Sequence, residues 1–506
     1  MSSHHEEIAA LLDTDVAGAL LRWAITTGRQ IRVPASPWRR KGYTGAVLAP
    51  LFVTEPGSGT QQVVVKRLPS GQATEPEAHR RALREAPRTF RSHLVEQVFD
   101  PIMMPDGGAV MFQSLAGASQ DWRPMANLPT ACLPDGCGIL TKALLGGWNA
   151  NFVITSVNAV DFLIDEIDNI GSVGRHVAPV ATAARPAWVC VEGDPMPDPL
   201  HLLTEASPFA GTLVDVVVGR VHGDLHDLNV LMKQGRRGQP CLDTFVLVDL
   251  MSYTSAGQLG RDVVRLLLSV AARLLPELSA SQQRLLLPAF VRPEDTAPED
   301  LPPLVVNSLL SVYEPAAELL SRCGAETWRR QYLLSLIAHG LVFTTYERLS
   351  PASRWWFYRL AGSAARELLC ELELTGGAPT EVTKLSNPYV AQVSSGASPA
   401  ASAPSEHSRH SASSYSIAPR PTYSAWKKIE VCRRLSDDWA DLADLVGVPR
   451  HDRDGFAQGR RPHEVWEWLE RRDRIHELPG ALRALGRADL AEVLEPDMPE
   501  ANDSAT

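Results

Sequence analysis

The chain has little cysteine for its length and no excess of positive charge. Its 506 residues include seven cysteines: Cys132, Cys137, Cys190, Cys241, Cys323, Cys370 and Cys432. The number is odd, only Cys132 and Cys137 lie close together, and no second pair or histidine cluster follows at zinc-binding spacing. That excludes a disulfide-stapled scaffold, and most of these cysteines read as small buried apolar residues in a reducing compartment. Lys and Arg number 49 against 59 Asp and Glu, a formal net charge of −10. This balance argues against a general nucleic-acid binder, because phosphate binding needs a basic surface. Long uncharged apolar runs are also missing. VVRLLLSVAARLL (263–275) is interrupted by Arg265 and Arg273 and is too short to span a bilayer. The first residues, MSSHHEEIAALLDTD, are polar and acidic, unlike a signal peptide. A cytoplasmic protein without membrane contact is expected.

What is present is an ordinary globular composition, 44% hydrophobic and 21% charged, which excludes a wholly disordered chain. At about 150 residues per domain the length suggests roughly three domains. Composition changes sharply once. From Thr375 to about Thr422, Ser, Ala, Pro and Gly dominate and no apolar period persists. Such a segment cannot bury enough apolar surface to offset its ordering entropy, and it reads as a flexible linker. Before it, the runs GAVLAPLFV, QQVVVKRL and AVMFQSL predict short strands, with a helix over EPEAHRRALREAPRTF between the last two. After residue 260 the pattern is mostly helical. A small β-rich lobe followed by a large helical lobe is expected.

The most informative stretch runs from 219 to 266. A short apolar run ends at Val221. His222, Gly223 and Asp224 follow, and Asn229 comes five residues after Asp224. A hairpin-like segment with Gly235 and Gly238 leads into FVLVD, which ends at Asp249, and Asp262 opens a long apolar helix. Phosphoryl transfer from ATP accounts for this set. One carboxylate must orient the attacking hydroxyl or accept its proton, while a second carboxylate and an amide hold Mg2+ against the phosphates. Asp224 suits the first role, and Asn229 and Asp249 suit the metal roles. The step from Asp224 to Asn229 matches the HxDxxxxN catalytic loop of kinases.

HGDLHDLNVL followed by VLVDL resembles the aminoglycoside phosphotransferase and choline kinase branch of the kinase superfamily. The resemblance implies a two-lobed α+β protein-kinase-like fold, with His222 and Asp224 in the catalytic loop and Asp262 supporting that loop from the following helix. Only 12 residues separate Asp249 from Asp262, too few for a regulated activation segment. Lys66, ending a β-branched run, would reach the ATP phosphates, and Glu77 in EPEAHRRAL is its expected carboxylate partner, with Glu75 and Glu85 competing. Gly42 and Gly45 would form a turn over the phosphates. The backbone around Gln113 and Leu115 lies where a hinge would hold adenine. ATP and Mg2+ are the implied cofactors. Residues 120–215 and the later helices would shape an acceptor pocket, and no acidic patch there announces an aminoglycoside.

The tail, 423–495, carries apolar stripes at helical spacing, such as Trp439, Leu442, Ala443 and Val446. Gly447 and Pro449 then stop the helix. Six short helices are expected in about 70 residues, with a core built from four of the 12 tryptophans: Trp426, Trp439, Trp466 and Trp468. WADLADLVGVP, Phe456, VWEWLE and LPGALRALGRADLAEVL together resemble the death-fold superfamily, and bacterial effector-associated domains in particular. That resemblance implies homotypic binding to a protein with a similar domain. Asp437, Asp438, Asp441 and Asp444 against Arg460, Arg461, Arg471, Arg472 and Arg474 would supply opposite patches for such pairing.

The expected organisation is an N-terminal helical segment (1–30), a small nucleotide-binding lobe (31–119) and a large helical lobe with the catalytic loop (120–374). A disordered linker (375–422), an all-α six-helix death-like bundle (423–496) and a disordered tail (497–506) complete it. A kinase-like domain tethered to such an adaptor resembles the ternary complex-associated proteins of bacterial conflict and signalling systems. The functional expectation is an ATP- and Mg2+-dependent phosphotransferase of unknown acceptor, recruited by its tail to a multiprotein complex. The alternative is a catalytically inactive pseudokinase scaffold.

Overall fold

The computed structural model describes residues 2–41, 46–114, 122–168, 186–204, 206–235, 238–295, 300–374, 382–385, 387, 425–435, 438–448, 453, 461–471 and 474–494. The chain forms two compact units, 1–399 and 400–506, each described by itself. Most of the linker expected at 375–422 lies outside the described residues. No helix among the described residues is long and apolar enough to cross a membrane.

The first unit opens with two helices, α1 (Ser2–Leu11) and α2 (Thr14–Thr27). Helix α2 starts where the Asp13 carboxylate accepts the Val16 N–H at 2.8 Å. The strands β1 (Gln30–Arg32), β2 (Arg40–Lys41), β3 (Val47–Glu55) and β4 (Gly59–Leu68) follow, then helix α3 (Glu75–Glu85), β5 (Glu96–Met103) and β6 (Ala109–Ser114). They build an antiparallel sheet in the order β1-β3-β4-β6-β5, with β2 also paired to β3. Val47, Ala49, Leu51 and Val53 of β3 and Val63 and Val65 of β4 join Val16 and Leu20 of α2 in one buried core. Each such fully buried Val or Leu contributes about 1.5–3 kcal/mol. Strand side chains alternate between faces, so this register puts Lys66 on the face away from α1 and α2.

The rest of the unit is larger and mainly helical. Its elements are β7 (Trp122–Pro124), α4 (Leu133–Lys142), β8 (Val153–Asn158), α5 (Ala159–Asp168), β9 (Trp188–Val191), β10 (Asp194–Pro197), β11 (Leu213–Val221), β12 (Val230–Gln234), β13 (Pro240–Leu247) and β14 (Thr254–Gln258). Helices α6 (Leu259–Leu274), α7 (Ala280–Val291), α8 (Pro303–Leu320), α9 (Ala325–Thr344) and α10 (Pro351–Glu371) follow, then β15 (Thr383–Lys384). Three small sheets result, β13-β12-β7, β14-β11-β8 and β10-β9-β15. They share one extensive core with the helices, separate from that of the small lobe. Helix α9 is buried along most of its length because α5, α6, α10 and β11 all pack on it. From it, Gln331 accepts the Val217 N–H at 2.8 Å and donates to the Val217 carbonyl at 2.9 Å, fastening β11 as a neighbouring strand would. A small sheet lobe and a larger, mainly helical lobe make up the two-lobed α+β architecture expected from the sequence.

The second unit is all-helical among its described residues: α11 (Ala425–Leu435), α12 (Trp439–Leu445), α13 (Arg461–Arg471), α14 (Leu478–Ala484) and α15 (Ala488–Val493). The expected stripe is real, since Leu442, Ala443 and Val446 are buried and Trp439 packs beside them. Trp466 and Trp468 lie in the same core. Phe456 and all but Arg453 of the HDRDGFAQG piece lie outside the described residues. Of the charges expected to supply opposite patches, Asp437, Arg460 and Arg472 lie outside the described residues. Asp438 pairs with Arg487 at 2.7 Å, Asp444 with Arg453 at 2.5 Å and Arg474 with Glu477 at 2.7 Å, all within the bundle. Arg461 sits over the Trp439 ring. Opposite charges brought close by short helices pair locally, and each exposed pair contributes about 0–1 kcal/mol.

Candidate functional site

The site is assembled where the two lobes of the first unit meet. Lys66 enters it from β4. Its Nζ donates to Glu75 Oε1 at 2.6 Å and to Asp249 Oδ1 at 3.2 Å, joining residues 183 positions apart in the chain. Burial disfavours the Lys66 ammonium, but the Asp249 and Glu75 carboxylates outweigh it and hold its pKa above the ordinary lysine value. The partner is therefore Glu75, and the expectation of Glu77 is corrected. Glu75 is the first residue of α3 and is 1% exposed. Glu77, two residues on, is turned about 200° round the helix and faces Arg80 at 3.3 Å and Arg84 at 3.9 Å. Glu85 is engaged elsewhere, accepting the Tyr253 hydroxyl at 2.9 Å.

Helix α3 also fastens the segment after Asp249. Arg81 donates to the Tyr253 carbonyl at 2.8 Å and lies over the Tyr253 ring. Asp249 itself has a left-handed backbone, φ 64° and ψ 59°, one of the few such non-glycine positions among the described residues. That conformation ends the β13 extension and turns the carboxylate toward Lys66. Strain of this kind persists where surrounding contacts over-determine it.

The 222–229 loop is held by a dense set of backbone bonds. His222 is buried. Its Nε2 lies 2.8 Å from the Val248 carbonyl and its Nδ1 accepts the Asp224 N–H at 3.3 Å. Both ring nitrogens of His222, expected among the catalytic residues, are engaged with backbone. Asn229 donates its amide to the Asp224 carbonyl at 2.9 Å, and its own carbonyl accepts the Val248 N–H at 3.0 Å. One chain of contacts thus links Asp224, Asn229, Val248, Asp249 and Lys66. Asp224 keeps a side chain 40% exposed. Burial raises its pKa, but Arg265, His226 and His222 beside it prevail and hold the carboxyl below its ordinary value.

Helix α6 clamps this loop with one polar stripe. Asp262 accepts the His222 N–H at 2.6 Å and the Gly223 N–H at 3.0 Å. Arg265 contacts Asp224 Oδ1. Ser269 accepts the Asp227 N–H at 3.3 Å, and Arg273 reaches the Ala126 carbonyl at 2.6 Å and Asp227 at 3.8 Å. The spacing 262, 265, 269, 273 follows one helix face. Asp262 does this from the first turn of the helix, where the N-cap position belongs to Gln258. Behind the stripe, Arg261 makes a two-point pair with the fully buried Glu166 at 2.6 and 2.9 Å, and His339 stands 3.0 Å from the same carboxylate.

Gln113 is a buried residue of β6, in register with Val64 on one side and Gln97 on the other. It therefore belongs to the sheet. Gly42, Gly45 and Leu115 lie outside the described residues. Sequence reasoning passed over Arg265, Asp227, Glu166 and His339. For Arg265 and Arg273 the available signal was their helical spacing from Asp262.

The donor set suits a hard divalent cation. Asp249 offers a half-exposed carboxylate. Asn229 spends its N–H on the loop, which leaves its amide oxygen as the remaining polar atom. Mg2+ is commonly held by one or two such oxygens together with phosphates and water.

Comparison with known proteins gives a family match for the tail alone. Residues 425–497 match the family model described as Bacterial Death-like domain 3. No curated protein matches the chain significantly. Among solved structures, a glucosamine kinase in complex with glucosamine, ADP and inorganic phosphate is 15% identical, with a TM-score of 0.33, covering 71% of this chain and 86% of that one. A second crystal form of a glucosamine kinase is 16% identical, with a TM-score of 0.32, covering 70% and 85%.

Proposed function

We propose that the first unit is an ATP- and Mg2+-dependent phosphotransferase and that the death-like tail recruits it to a bacterial conflict or signalling complex. The observation that carries the reading is the Lys66 ammonium bridging Glu75 at 2.6 Å and Asp249 at 3.2 Å from opposite lobes. A buried lysine with two carboxylates costs desolvation that a purely structural contact would avoid with apolar side chains. In the reaction, Lys66 would position the ATP phosphates. Asn229 and Asp249 would hold Mg2+, which would supply charge neutralisation at those phosphates. Asp224 would orient an acceptor hydroxyl. The acceptor oxygen bonds to the γ-phosphorus, the bond from that phosphorus to the bridging oxygen breaks to leave ADP, and the hydroxyl proton passes to Asp224 and then to solvent.

Asp249→Ala is expected to abolish MgATP binding measured by calorimetry on the full chain. Asp224→Ala is expected to keep that binding and to lose at least ~100-fold in ADP release. Unchanged nucleotide affinity in the first variant overturns the metal assignment. Wild-type ADP release in the second overturns the role of Asp224. The adaptor reading is tested by mixing the full chain with a death-like-domain protein encoded beside it. Co-elution on size exclusion supports it, and separate elution overturns it.

A further inference from the structure

We infer that Arg265 is the residue that aims Asp224 at the acceptor, by tying one carboxylate oxygen and leaving the other to the incoming hydroxyl. The inference rests on the phosphotransfer reading above.

The stripe on α6 divides into two kinds of contact. Asp262 and Ser269 bind backbone N–H groups of the loop, at His222, Gly223 and Asp227. They fix where the loop runs. Arg265 instead reaches a side chain, and that side chain is Asp224. Backbone placement alone leaves a carboxylate free to rotate about χ1 and χ2. Its functional oxygen would then be shared among several directions.

Arg265 is built for this contact. Its side chain is 2% exposed, against 40% for Asp224, so the guanidinium approaches from the protein side and the carboxylate keeps its solvent face. The Tyr346 hydroxyl stands 3.4 Å from the same Nη2 and steadies it. The guanidinium Nε and Nη1 are buried with no hydrogen-bond partner among the described residues. Asp224 is therefore the anion that compensates this cation, and a buried charge is held tightly to its partner. With Oδ1 taken, Oδ2 is the oxygen presented, on the side where His226 Nε2 lies 4.0 Å away. A pure packing role would not require the side chain of the loop's one half-exposed acid. Effective positioning of this kind governs turnover more than substrate binding.

The test uses the full chain with MgATP alone, water serving as acceptor, and follows ADP release. Arg265→Gln is expected to lower kcat by about 10- to 100-fold with the KM for ATP within about 2-fold. Arg265→Lys, which keeps a cation at the same place, is expected to recover part of kcat. A fall in kcat matched by lost ATP affinity, or a lysine variant no better than glutamine, overturns the inference. Thermal midpoints give a readout independent of turnover. Asp224→Asn strands the guanidinium, so it should lower the midpoint more than Asp224→Asn combined with Arg265→Gln does. Equal midpoints overturn the pairing. A wild-type chain that releases no ADP overturns the phosphotransfer reading, and the order of midpoints then decides by itself whether Arg265 holds Asp224.

Discussion

Gly223→Ala is expected to cut ADP release by at least ~100-fold while the chain still folds. Gly223 has φ +84°, a region where a Cβ is strained. A Cβ built there would lie 2.2 Å from the Ser252 carbonyl oxygen and 2.9 Å from the Ser252 carbonyl carbon. The obstacle is backbone, which cannot rotate away as a side-chain tip can. Strained backbone alone costs about 1–3 kcal/mol, and relief requires the loop and the segment after Asp249 to move apart. That movement stretches the Gly223 N–H from Asp262 and the His222 ring from the Val248 carbonyl. Both bonds set the position of Asp224 relative to Asp249. The variant should therefore lose turnover far more than stability. Wild-type ADP release from Gly223→Ala, with an unchanged thermal midpoint, would contradict the tight approach of these two segments.

The parts of this site that were legible in the sequence are those fixed by local spacing. The step from Asp224 to Asn229 is set by a single turn, and the amide of Asn229 bonding the Asp224 carbonyl shows why that spacing recurs. Lys66 was legible because it ends a β-branched run that reads as a strand. Its partner was not, because Glu75 and Glu77 differ only in which way they face. That depends on where α3 begins, and helix starts are poorly set by a sequence with several candidate first residues. Thr74 precedes α3 without a side-chain cap bond.

Arg265 and Arg273 carry a sharper lesson. In sequence they interrupt an apolar run and argue against a membrane span. In the fold they occupy the face of α6 that clamps the loop carrying Asp224. An arginine inside an apolar helix must find an anion or a carbonyl, but its partner depends on tertiary placement that no local period encodes. The tail shows the opposite case. Its apolar stripe was legible at Leu442, Ala443 and Val446 because a small bundle buries one face per helix. Its ion pairs were not legible, because pairs such as Asp438 with Arg487 join distant segments.

The largest stability effect in the first unit is expected from Glu166→Gln, a loss of about 3–5 kcal/mol at neutral pH. Glu166 is fully buried on α5, paired twice by Arg261 and approached by His339 at 3.0 Å. Burial alone would raise its pKa, but Arg261 and His339 prevail and hold it at about 2. Removing the charge strands the Arg261 guanidinium, which is 4% exposed. Replacing both partners, Glu166→Met with Arg261→Met, should recover much of the loss, since an apolar pair of similar volume leaves no buried charge. The pH dependence follows in sign. Glu166 is depressed on folding, so its contribution is complete above the unfolded value near 4.5 and fades as pH falls toward about 2. His339 is pushed down to about 4 by burial, so the unfolded chain takes up its proton first and stability falls from about pH 6.5 to about pH 4. The wild-type chain should therefore weaken in two overlapping steps on acidification, and Glu166→Gln should lose the lower one. Hydrogen exchange of the 259–274 amides against urea, at several pH values, reads this helix directly. The consequence reaches the site, because Arg261 adjoins Asp262, which holds the His222 and Gly223 N–H groups. Wild-type protection of those amides in Glu166→Gln would show that the buried pair is not what anchors α6.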